Sequence, residues 1–228
     1  MRRHLKRLQT TIKQEWLVVL DLDRTLFDTA RYYRDFLGAI SQTWGGDIAN
    51  SMQDTERTGE HLDPFEYLQR EHGIEYDAVT QAFSAHVAAT YPTGTGYLFA
   101  GASELIEYLR QRPRTYVLII TTGTQQSQLF KLKLCPELTR LNYKIISENK
   151  GEVIQAQFKQ AGGIAFENHH FHYFVLVDDK ADALTPITAH HRHLLVHILR
   201  QDAKFQQHTG RADVHEVASL ADVIKILN

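Results

Sequence analysis

Acidic, hydroxyl and basic side chains stand at the ends of several short apolar runs in this sequence. They are Asp21 and Asp23, then Thr121, then Lys150, then Asp178 and Asp179. The carboxyl ends of the strands in an open parallel sheet form one crevice, where residues far apart in sequence meet. The last three places are about 28 or 29 residues apart, close to the roughly 30 residues of one βα unit. We therefore expect these side chains at one edge of a sheet.

The types of these residues suit phosphoryl transfer. Asp21, Asp179 and the carbonyl oxygen of Asp23 offer the hard oxygen ligands that Mg²⁺ prefers. Asp21 can attack phosphorus to form an aspartyl phosphate. Asp23 can protonate the leaving oxygen and later deprotonate the hydrolytic water. The adjacent carboxylates of Asp178 and Asp179 repel each other, and a metal explains the pair better than helix capping does.

A hydroxyl and a cation complete the candidate phosphate site. Thr121 supplies the hydroxyl, and the turn that follows it leads into a helix whose free N–H groups can hold phosphate oxygens. Lys150 supplies a fixed positive charge for the transferring group.

The elements that must position these residues alternate between buried strands and amphipathic helices, which predicts a parallel α/β sheet. The candidate strands are Trp16–Leu20, Tyr116–Ile120, Tyr143–Ile146, Tyr173–Val177, Leu194–Ile198 and a short Val214–Val217. The candidate helices are Ser103–Arg112 with Ser103 as its N-cap, Gly151–Ala161, and Leu220–Leu227 after Ser219.

One interval is too long for a simple crossover. About 97 residues separate Asp23 from Thr121, whereas a βαβ connection needs about a dozen. Apolar residues at helical spacing predict helices over Thr29–Trp44, from Asp63 to Gly73, and over Asp77–Thr90, with a polar loop at Gly45–Leu62. The interval is therefore expected to hold a small all-helical module.

Composition excludes several classes of protein. The 228-residue chain carries 25 Lys and Arg against 27 Asp and Glu, a formal charge of −2, so it lacks the broad basic field of a nucleic-acid-binding protein. The longest apolar runs fall far short of the roughly 20 residues of a membrane span. A single cysteine, Cys135, and no apolar region after the basic start argue against a secreted disulfide scaffold, so we expect a cytoplasmic protein.

Other charged and aromatic groups have simpler interpretations than a binding role. Helix-surface charge is favoured over anion binding for Arg31, Arg34 and Lys131. The histidine clusters at 169–172 and 190–197 match no standard zinc spacing. The basic segment at residues 1–15 is given no function.

The candidate site resembles a known family. Asp21-Leu-Asp-Arg-Thr25 is similar to motif I (DxDxT) of the haloacid dehalogenase-like (HAD-like) hydrolases, which depend on Mg²⁺. Ile119-Ile-Thr-Thr-Gly123 resembles motif II, with Thr121 in the phosphate-binding place and Thr122 as the alternative one residue on. Lys150 resembles motif III, and Val177-Asp-Asp179 resembles the motif IV acid pair, with Asp182 as an extra candidate.

The resemblance, which spans about residues 16–228, implies a Rossmann-like core with a helical cap. The core would comprise residues 1–28 and 93–228, and a C1-type cap residues 29–92. It implies an Mg²⁺-dependent phosphatase of a small phosphorylated metabolite, with Asp21 as nucleophile and Asp23 as general acid and base. The dehalogenase branch lacks the second aspartate of motif I, so Asp23 favours phosphate chemistry. Arg24 stands where many members have glycine, and its side chain is expected to point outward or toward the cap.

Two other functions remain open on the sequence, and a third is disfavoured by the order of the residues. A phosphomutase would use the same residues but yield an isomer rather than inorganic phosphate. A non-catalytic HAD-like protein would bind phosphate without turnover. A receiver module uses similar residues, but it carries its paired acids on the first strand and its lysine on the last, which is not the order in this chain.

Overall fold

The computed structural model describes residues 15–57, 63–94, 96–159, 163–166, 169–188, 192–200 and 208–228. The basic segment at residues 1–14 and the histidines His190 and His191 lie outside them. A six-stranded parallel sheet forms the centre of the described part of the chain. Its strands are β1 Trp16–Leu20, β2 Thr115–Thr122, β3 Asn142–Ile146, β7 Tyr173–Asp178, β8 His193–Ile198 and β9 Val214–Val217. They lie side by side in the order β3-β2-β1-β7-β8-β9. The predicted Rossmann-like α/β fold class is confirmed.

The first strand of the chain lies in the middle of this sheet. β1 pairs in parallel with β2 on one side and β7 on the other, with Leu20 opposite Ile119 and Val177. Its side chains alternate between two buried layers, because Val18 and Leu20 face one and Leu17 and Val19 the other. The carboxyl end of β1 therefore opens between two neighbours of the same direction, where a parallel sheet forms its crevice.

Helices follow the strands and fill a long insert after β1. The insert contains α1 Thr29–Trp44, α2 Gly46–Arg57, α3 Pro64–His72 and α4 Tyr76–Thr90. The later helices are α5 Ala102–Gln111, α6 Gln125–Lys133, a 3₁₀ turn at Leu138–Arg140, α7 Lys150–Gln155, α8 Ala181–Leu184 and α9 Leu220–Leu227. None of the described helices combines the length and the apolar character that crossing a membrane requires.

Three local predictions were wrong. The expected polar loop at Gly45–Leu62 contains α2, which is mostly exposed and buries Ala49 and Met52 on one side. The N-cap of α5 is Gly101 rather than Ser103, and the backbone of Gly101 is left-handed with φ 85°. The helix predicted over Gly151–Ala161 stops at Gln155.

A small antiparallel sheet replaces the end of that helix and was not predicted. It consists of β4 Phe158–Lys159, β5 Gly163–Phe166 and β6 His169–Phe171. The side chains of Ile164, Phe166 and Phe171 are buried on the face of the main sheet that carries Leu17 and Val19. Strands of two to four residues are too short for an alternating pattern to identify them in a sequence.

Aromatic rings join the helical insert to the sheet domain. Phe130 of α6 lies 5.4 Å from the rings of both Phe65 and Phe83, measured between ring centroids. Tyr32 of α1 lies 5.4 Å from Phe27 and 6.0 Å from Tyr97. These edge-on and tilted contacts are favourable beyond the burial of the ring area itself, so the insert is packed firmly on the sheet domain.

The close contact between α7 and α8 predicts that Gly151→Ala destabilises the protein. A Cβ at Gly151 would lie 2.3 Å from the carbonyl oxygen of Ala183. Alanine is favoured over glycine in a helix by up to about 1 kcal/mol, but overpacking against backbone costs about 1–3 kcal/mol. We therefore expect a net loss of about 1–2 kcal/mol in the free energy of unfolding, measured by urea denaturation.

Gly46→Ala is the matched control for this substitution. Gly46 also opens a helix, and its nearest neighbour to a new Cβ is the Ser41 hydroxyl at 3.8 Å. We expect Gly46→Ala to leave stability unchanged or raise it slightly. Equal stability of the two variants would contradict the proposed contact.

Candidate active site

Three aspartates meet at the carboxyl ends of β1 and β7. Asp21 follows β1 and donates its N–H to the carbonyl oxygen of Val177 at 2.9 Å, while Asp178 is the last residue of β7 and Asp179 follows it. All three are buried. One carboxylate oxygen from each lies within 4.8 Å of those of the other two. The sequence placed these residues at one sheet edge, and the structure brings them together.

Lys150 lies between two of these carboxylates. It is the first residue of α7, its Nζ donates to Asp178 Oδ2 at 2.6 Å, and it forms a second, very short hydrogen bond to Asp21 Oδ1. Both bonds are buried, where charge-assisted hydrogen bonds are strongest. Lys150 therefore fixes the orientation of Asp21 and Asp178 together.

The group formed by Asp21, Asp178, Asp179 and Lys150, here called the acidic cluster, lacks positive charge. With all three carboxylates ionised, one ammonium leaves a net charge of −2. Asp21 Oδ2 and Asp179 Oδ1 are buried with no hydrogen-bond partner among the described residues. Buried carboxylate oxygens without partners are costly, and oxygen ligands of this kind suit a hard divalent cation. The donor set thus fits Mg²⁺.

The pKa values of the cluster reflect the missing charge. Burial raises the pKa of Asp21 to about 7, and the Asp178 carboxylate adds to that effect against the opposing charge of Lys150. Burial and the charge of Asp21 raise the pKa of Asp179 to about 8. Burial would lower the pKa of Lys150, but the two carboxylates outweigh it and hold that pKa above its ordinary value, so Lys150 remains a cation.

Asp23 lies beside the cluster and has its own partners. Lys131 Nζ donates to its two carboxylate oxygens at 2.7 and 2.9 Å, and the Thr29 hydroxyl donates to Oδ1 at 2.8 Å. Burial alone would raise the pKa of Asp23, but the Lys131 charge and these hydrogen bonds outweigh it and hold the pKa below its ordinary value. Its side chain is not part of the three-carboxylate group.

A cavity of about 180 Å³ opens at this edge of the sheet. The predicted site residues that line it are Asp21, Asp23, Thr121, Thr122, Lys150 and Asp178. Asp182, the extra acidic candidate, lines it as well. The cavity is large enough for a phosphoryl group.

Thr121 and Thr122 belong to a turn that Gln128 holds in place. The Thr121 hydroxyl donates to Gln128 Oε1 at 3.2 Å, and Gln128 Nε2 donates to the Thr122 carbonyl oxygen at 3.1 Å. Gly123 allows this arrangement, because its φ is 147° and a Cβ there would lie 2.6 Å from Gln128 Nε2. Gln128 was missed in the sequence, where nothing distinguishes it from other helix glutamines.

The start of α6 holds a carboxylate of the protein itself. The hydroxyls of Thr124 and Ser127 both donate to Asp63 Oδ2 at 2.6 Å. Asp63 belongs to the insert, where its Oδ1 accepts from the N–H groups of Phe65 and Glu66 at the start of α3. A negative charge is favoured at a helix start, and Asp63 supplies one at α6 through these two hydroxyls.

Lys131 and Arg200 are site residues that the sequence analysis did not identify. Lys131 was interpreted as helix-surface charge, but it is buried against Asp23. Arg200 donates to the carbonyl oxygens of Arg24 at 2.8 Å and Thr25 at 2.7 Å, and so supports the turn after β1. Both contacts join residues over 100 positions apart, which a sequence pattern does not show.

The double role of Asp63 predicts that Asp63→Ala weakens the docking of the insert. The substitution removes a helix cap, worth about 1 kcal/mol, and leaves the buried Ser127 hydroxyl and the half-buried Thr124 hydroxyl without their charged acceptor, at about 1–3 kcal/mol. We expect a loss of about 2–4 kcal/mol in the free energy of unfolding. Glu75→Ala is the control, because Glu75 precedes α4 without a side-chain cap. A loss in Asp63→Ala no larger than that of the control would show that the contact contributes nothing.

Comparison with known proteins identifies the fold. No protein-family model and no curated protein matches the sequence. Solved structures match most of the chain, among them a protein from Burkholderia xenovorans LB400 described as a haloacid dehalogenase-like hydrolase, at 17% identity and TM-score 0.60, covering 93% of this chain and 96% of that one.

Two further matches carry ligands. The HAD-hydrolase YfnB from Bacillus subtilis, bound to magnesium, matches at 15% identity and TM-score 0.52, covering 95% of this chain and all of that one. A HAD family hydrolase from Deinococcus radiodurans R1 with bound phosphate and sodium matches at 19% identity and TM-score 0.51, covering 95% of each chain. A dehalogenase and a protein described as a beta-phosphoglucomutase from Thermotoga maritima match as well. The chain therefore has the fold of the haloacid dehalogenase-like hydrolases.

Proposed function

We propose that the protein is an Mg²⁺-dependent HAD-like phosphatase that hydrolyses a small phosphorylated metabolite through an aspartyl phosphate, an acyl phosphate formed on Asp21. The observation that carries this proposal is the acidic cluster beside the 180 Å³ cavity, with a buried oxygen of Asp21 that no described residue binds. The site holds an oriented carboxylate, a fixed ammonium and hydroxyls around a space that can hold a phosphoryl group. Those are the parts that a covalent phosphoryl transfer needs.

In the first half-reaction a carboxylate oxygen of Asp21 forms a bond to phosphorus while the bond from phosphorus to the leaving oxygen breaks. Lys150 holds Asp21 in place and offsets charge on the transferring group. Thr122 offers its hydroxyl to the phosphoryl oxygens, and the Thr121 hydroxyl would do so by turning from Gln128 Oε1, to which it donates in this structure. Mg²⁺ held by Asp21, Asp178, Asp179 and the Asp23 carbonyl oxygen would supply the positive charge that lets an aspartate approach a phosphate dianion.

In the second half-reaction water attacks the same phosphorus, the bond to Asp21 breaks, and inorganic phosphate leaves. Asp23 takes the proton of that water, a role that its ionised state suits. To act first as an acid toward the leaving oxygen, Asp23 must gain a proton, and the Lys131 ammonium, which lowers the pKa of Asp23, opposes that step. The charge of Lys131 thus bears on both steps.

We further propose that residues 29–92 act as a cap over this site. Helices α1 and α3 of the insert reach the site directly, since Thr29 binds Asp23 and Asp63 binds the start of α6. A cap in this place excludes water from the covalent intermediate and contacts the leaving group.

Two observations favour phosphate chemistry over dehalogenation. Asp23 is a second carboxylate in the place of a general acid and base, which a displacement of halide does not need. The matching hydrolases with bound magnesium and with bound phosphate support the same class of reaction. Cytoplasmic location remains part of this proposal.

Replacement of the nucleophile tests the proposal. Asp21→Asn keeps the shape of the side chain but removes its charge, so release of phosphate from p-nitrophenyl phosphate with Mg²⁺ should fall by about a thousandfold or more. EDTA should have the same effect on the unchanged protein. Asp54→Asn, which alters an exposed ion pair on α2, serves as the control.

Full activity of the Asp21→Asn variant would exclude the assigned nucleophile. Product analysis with sugar monophosphates, which carry further hydroxyls, separates the phosphatase from the phosphomutase. Formation of an isomeric phosphate ester without inorganic phosphate would support the phosphomutase instead. Acid quenching followed by peptide mass analysis should find phosphate on Asp21.

The raised pKa values predict how Mg²⁺ stabilises the protein at different pH. The folded-state pKa values of Asp21 and Asp179, about 7 and about 8, lie above the ordinary value of 3.8. Folding therefore holds these protons more tightly, and the metal-free protein loses stability as pH rises through this range. Mg²⁺ takes the place of the protons, so the rise in melting temperature that it causes should be larger near pH 8.5 than near pH 6.

Thermal melts with millimolar Mg²⁺ or with EDTA provide the measurement. Asp179→Asn should reduce both the pH dependence and the response to Mg²⁺. Asp77→Asn, a change at an exposed position of α4, should leave both unchanged. An equal response to Mg²⁺ at the two pH values would contradict the assigned cluster.

A further inference from the structure

A second, larger cavity lies on the other side of Asp23, between the helical insert and the sheet domain. Its volume is about 460 Å³, and its lining includes Arg24, Thr29, Tyr32, Arg34, Glu56 and Lys131. Thr29 and Lys131 both bind the carboxylate of Asp23, which itself lines the smaller phosphate cavity. Asp23 therefore stands between the two spaces. If the proposed function is correct, the leaving group extends past Asp23 into this one, here called the insert cavity.

The lining of the insert cavity is basic. Its ionisable groups include three cations, Arg24, Arg34 and Lys131, against one carboxylate, Glu56. Lys131 is neutralised by Asp23. Arg34 is exposed and makes no hydrogen bond or ion pair with the described residues. The excess of positive charge favours an anionic occupant over a neutral one.

Arg24 occupies this lining at a conformational cost. Its φ is 59°, in the left-handed region, which costs an L-residue with a side chain about 1–2 kcal/mol and glycine almost nothing. Its backbone is held on both sides: the N–H donates to Phe27 O at 2.9 Å and Thr29 Oγ1 at 3.1 Å, and the carbonyl accepts from Arg200. Strain of this kind persists where the surroundings fix the backbone, and it concentrates at functional sites.

The Arg24 side chain also lacks a partner at the place to which that backbone directs it. Nη1 is buried and has no hydrogen-bond partner among the described residues, and the same is true of the Tyr32 hydroxyl. Both groups belong to residues that line the insert cavity. A buried guanidinium N–H without an acceptor is costly, and a carboxylate or phosphate oxygen is the acceptor that a guanidinium binds best. The sequence alone leaves the direction of the Arg24 side chain open between solvent and the insert. In the structure Arg24 lines the insert cavity.

We propose that the leaving group of the substrate carries an anionic oxygen group, a carboxylate or a second phosphate, and that Arg24 binds this group in the insert cavity. The inference rests on the proposed phosphatase function. Arg24 is thereby a specificity-determining residue, with Arg34 adding positive charge at the exposed side of the cavity. Lys131 lies 5.9 Å above the ring of Tyr32 and is the third cation that such a group meets.

Pairs of small phosphate esters that differ in charge test the inference. Phosphoglycolate and 2-hydroxyethyl phosphate compare a carboxylate with a hydroxyl on leaving groups of similar size, and propane-1,3-diyl bisphosphate and 3-hydroxypropyl phosphate do the same for a second phosphate. We expect kcat/KM for at least one anionic ester to exceed that of its neutral partner by about tenfold or more, as a charged pair of this kind provides. The pair with the larger ratio identifies which anion is bound.

Arg24→Gly and Arg114→Gly form a matched pair of variants. Arg114 is the other described non-glycine residue with positive φ, at 57°, and it lies before β2, away from both cavities. Each substitution relieves the same backbone strain, so we expect neither to lower the melting temperature by more than about 3 °C. The preference for the anionic ester should fall to about one in Arg24→Gly, mainly through KM, and stay unchanged in Arg114→Gly. Arg24→Lys should restore part of the preference.

Binding without turnover gives an independent measurement. The preferred anionic ester should raise the melting temperature of the Asp21→Asn variant with Mg²⁺, and Arg24→Gly in that background should reduce the rise. Hydrolysis of p-nitrophenyl phosphate without any preference for anionic esters, or an equal loss of preference in both glycine variants, would overturn the inference and leave the phosphatase in place. Failure to hydrolyse any phosphate ester would overturn the proposed function itself.

Discussion

Repulsion among three buried carboxylates is the constraint on which the rest of the site depends. Asp21, Asp178 and Asp179 lie at the carboxyl ends of β1 and β7, each with one carboxylate oxygen within 4.8 Å of those of the other two. The ammonium of Lys150 offsets only part of their charge. An arrangement of this kind costs free energy of folding unless a cation completes it. The sheet provides the means to bear that cost, because β1 lies at its centre with apolar side chains buried on both faces. Apolar burial around β1 thus offsets the free-energy cost of the acidic cluster.

Two separate electrostatic units divide the work at this edge of the sheet. The acidic cluster concentrates negative charge, whereas Asp23 belongs to a pair with Lys131 that is close to neutral. Asp21 and Asp23 therefore have opposite pKa shifts although a single residue separates them, with the pKa of Asp21 raised and that of Asp23 lowered. Environments that differ in this way assign different roles to similar groups. Asp21 is buried beside Asp178 and shares Lys150 with it, whereas Asp23 has Lys131 to itself.

The sequence predicted the strands and the convergence of Asp21, Thr121, Lys150 and Asp178, because parallel strands have a regular period and buried strands have a continuous apolar pattern. It did not predict α2, whose exposed surface gives a weak apolar stripe, or the short antiparallel strands around Phe166. The ion pair of Lys131 with Asp23 was also missed. That contact depends on how α6 packs beside the first turn, and the local sequence around Lys131 resembles that of an ordinary surface helix. Patterns identify which residues a sheet aligns, and packing decides which partners the side chains receive.

The central place of β1 in the sheet has a consequence for how the chain folds. β1 is made first, but its partners β2 and β7 begin at Thr115 and Tyr173, so the strand that precedes Asp21 must wait for most of the chain before its hydrogen bonds form. Contacts of such long sequence separation slow folding and leave an apolar strand exposed meanwhile. The helices of the insert are local in sequence and can form during that interval. On the ribosome, we expect the insert to acquire structure before the sheet edge that holds Asp21, Asp178 and Asp179 exists.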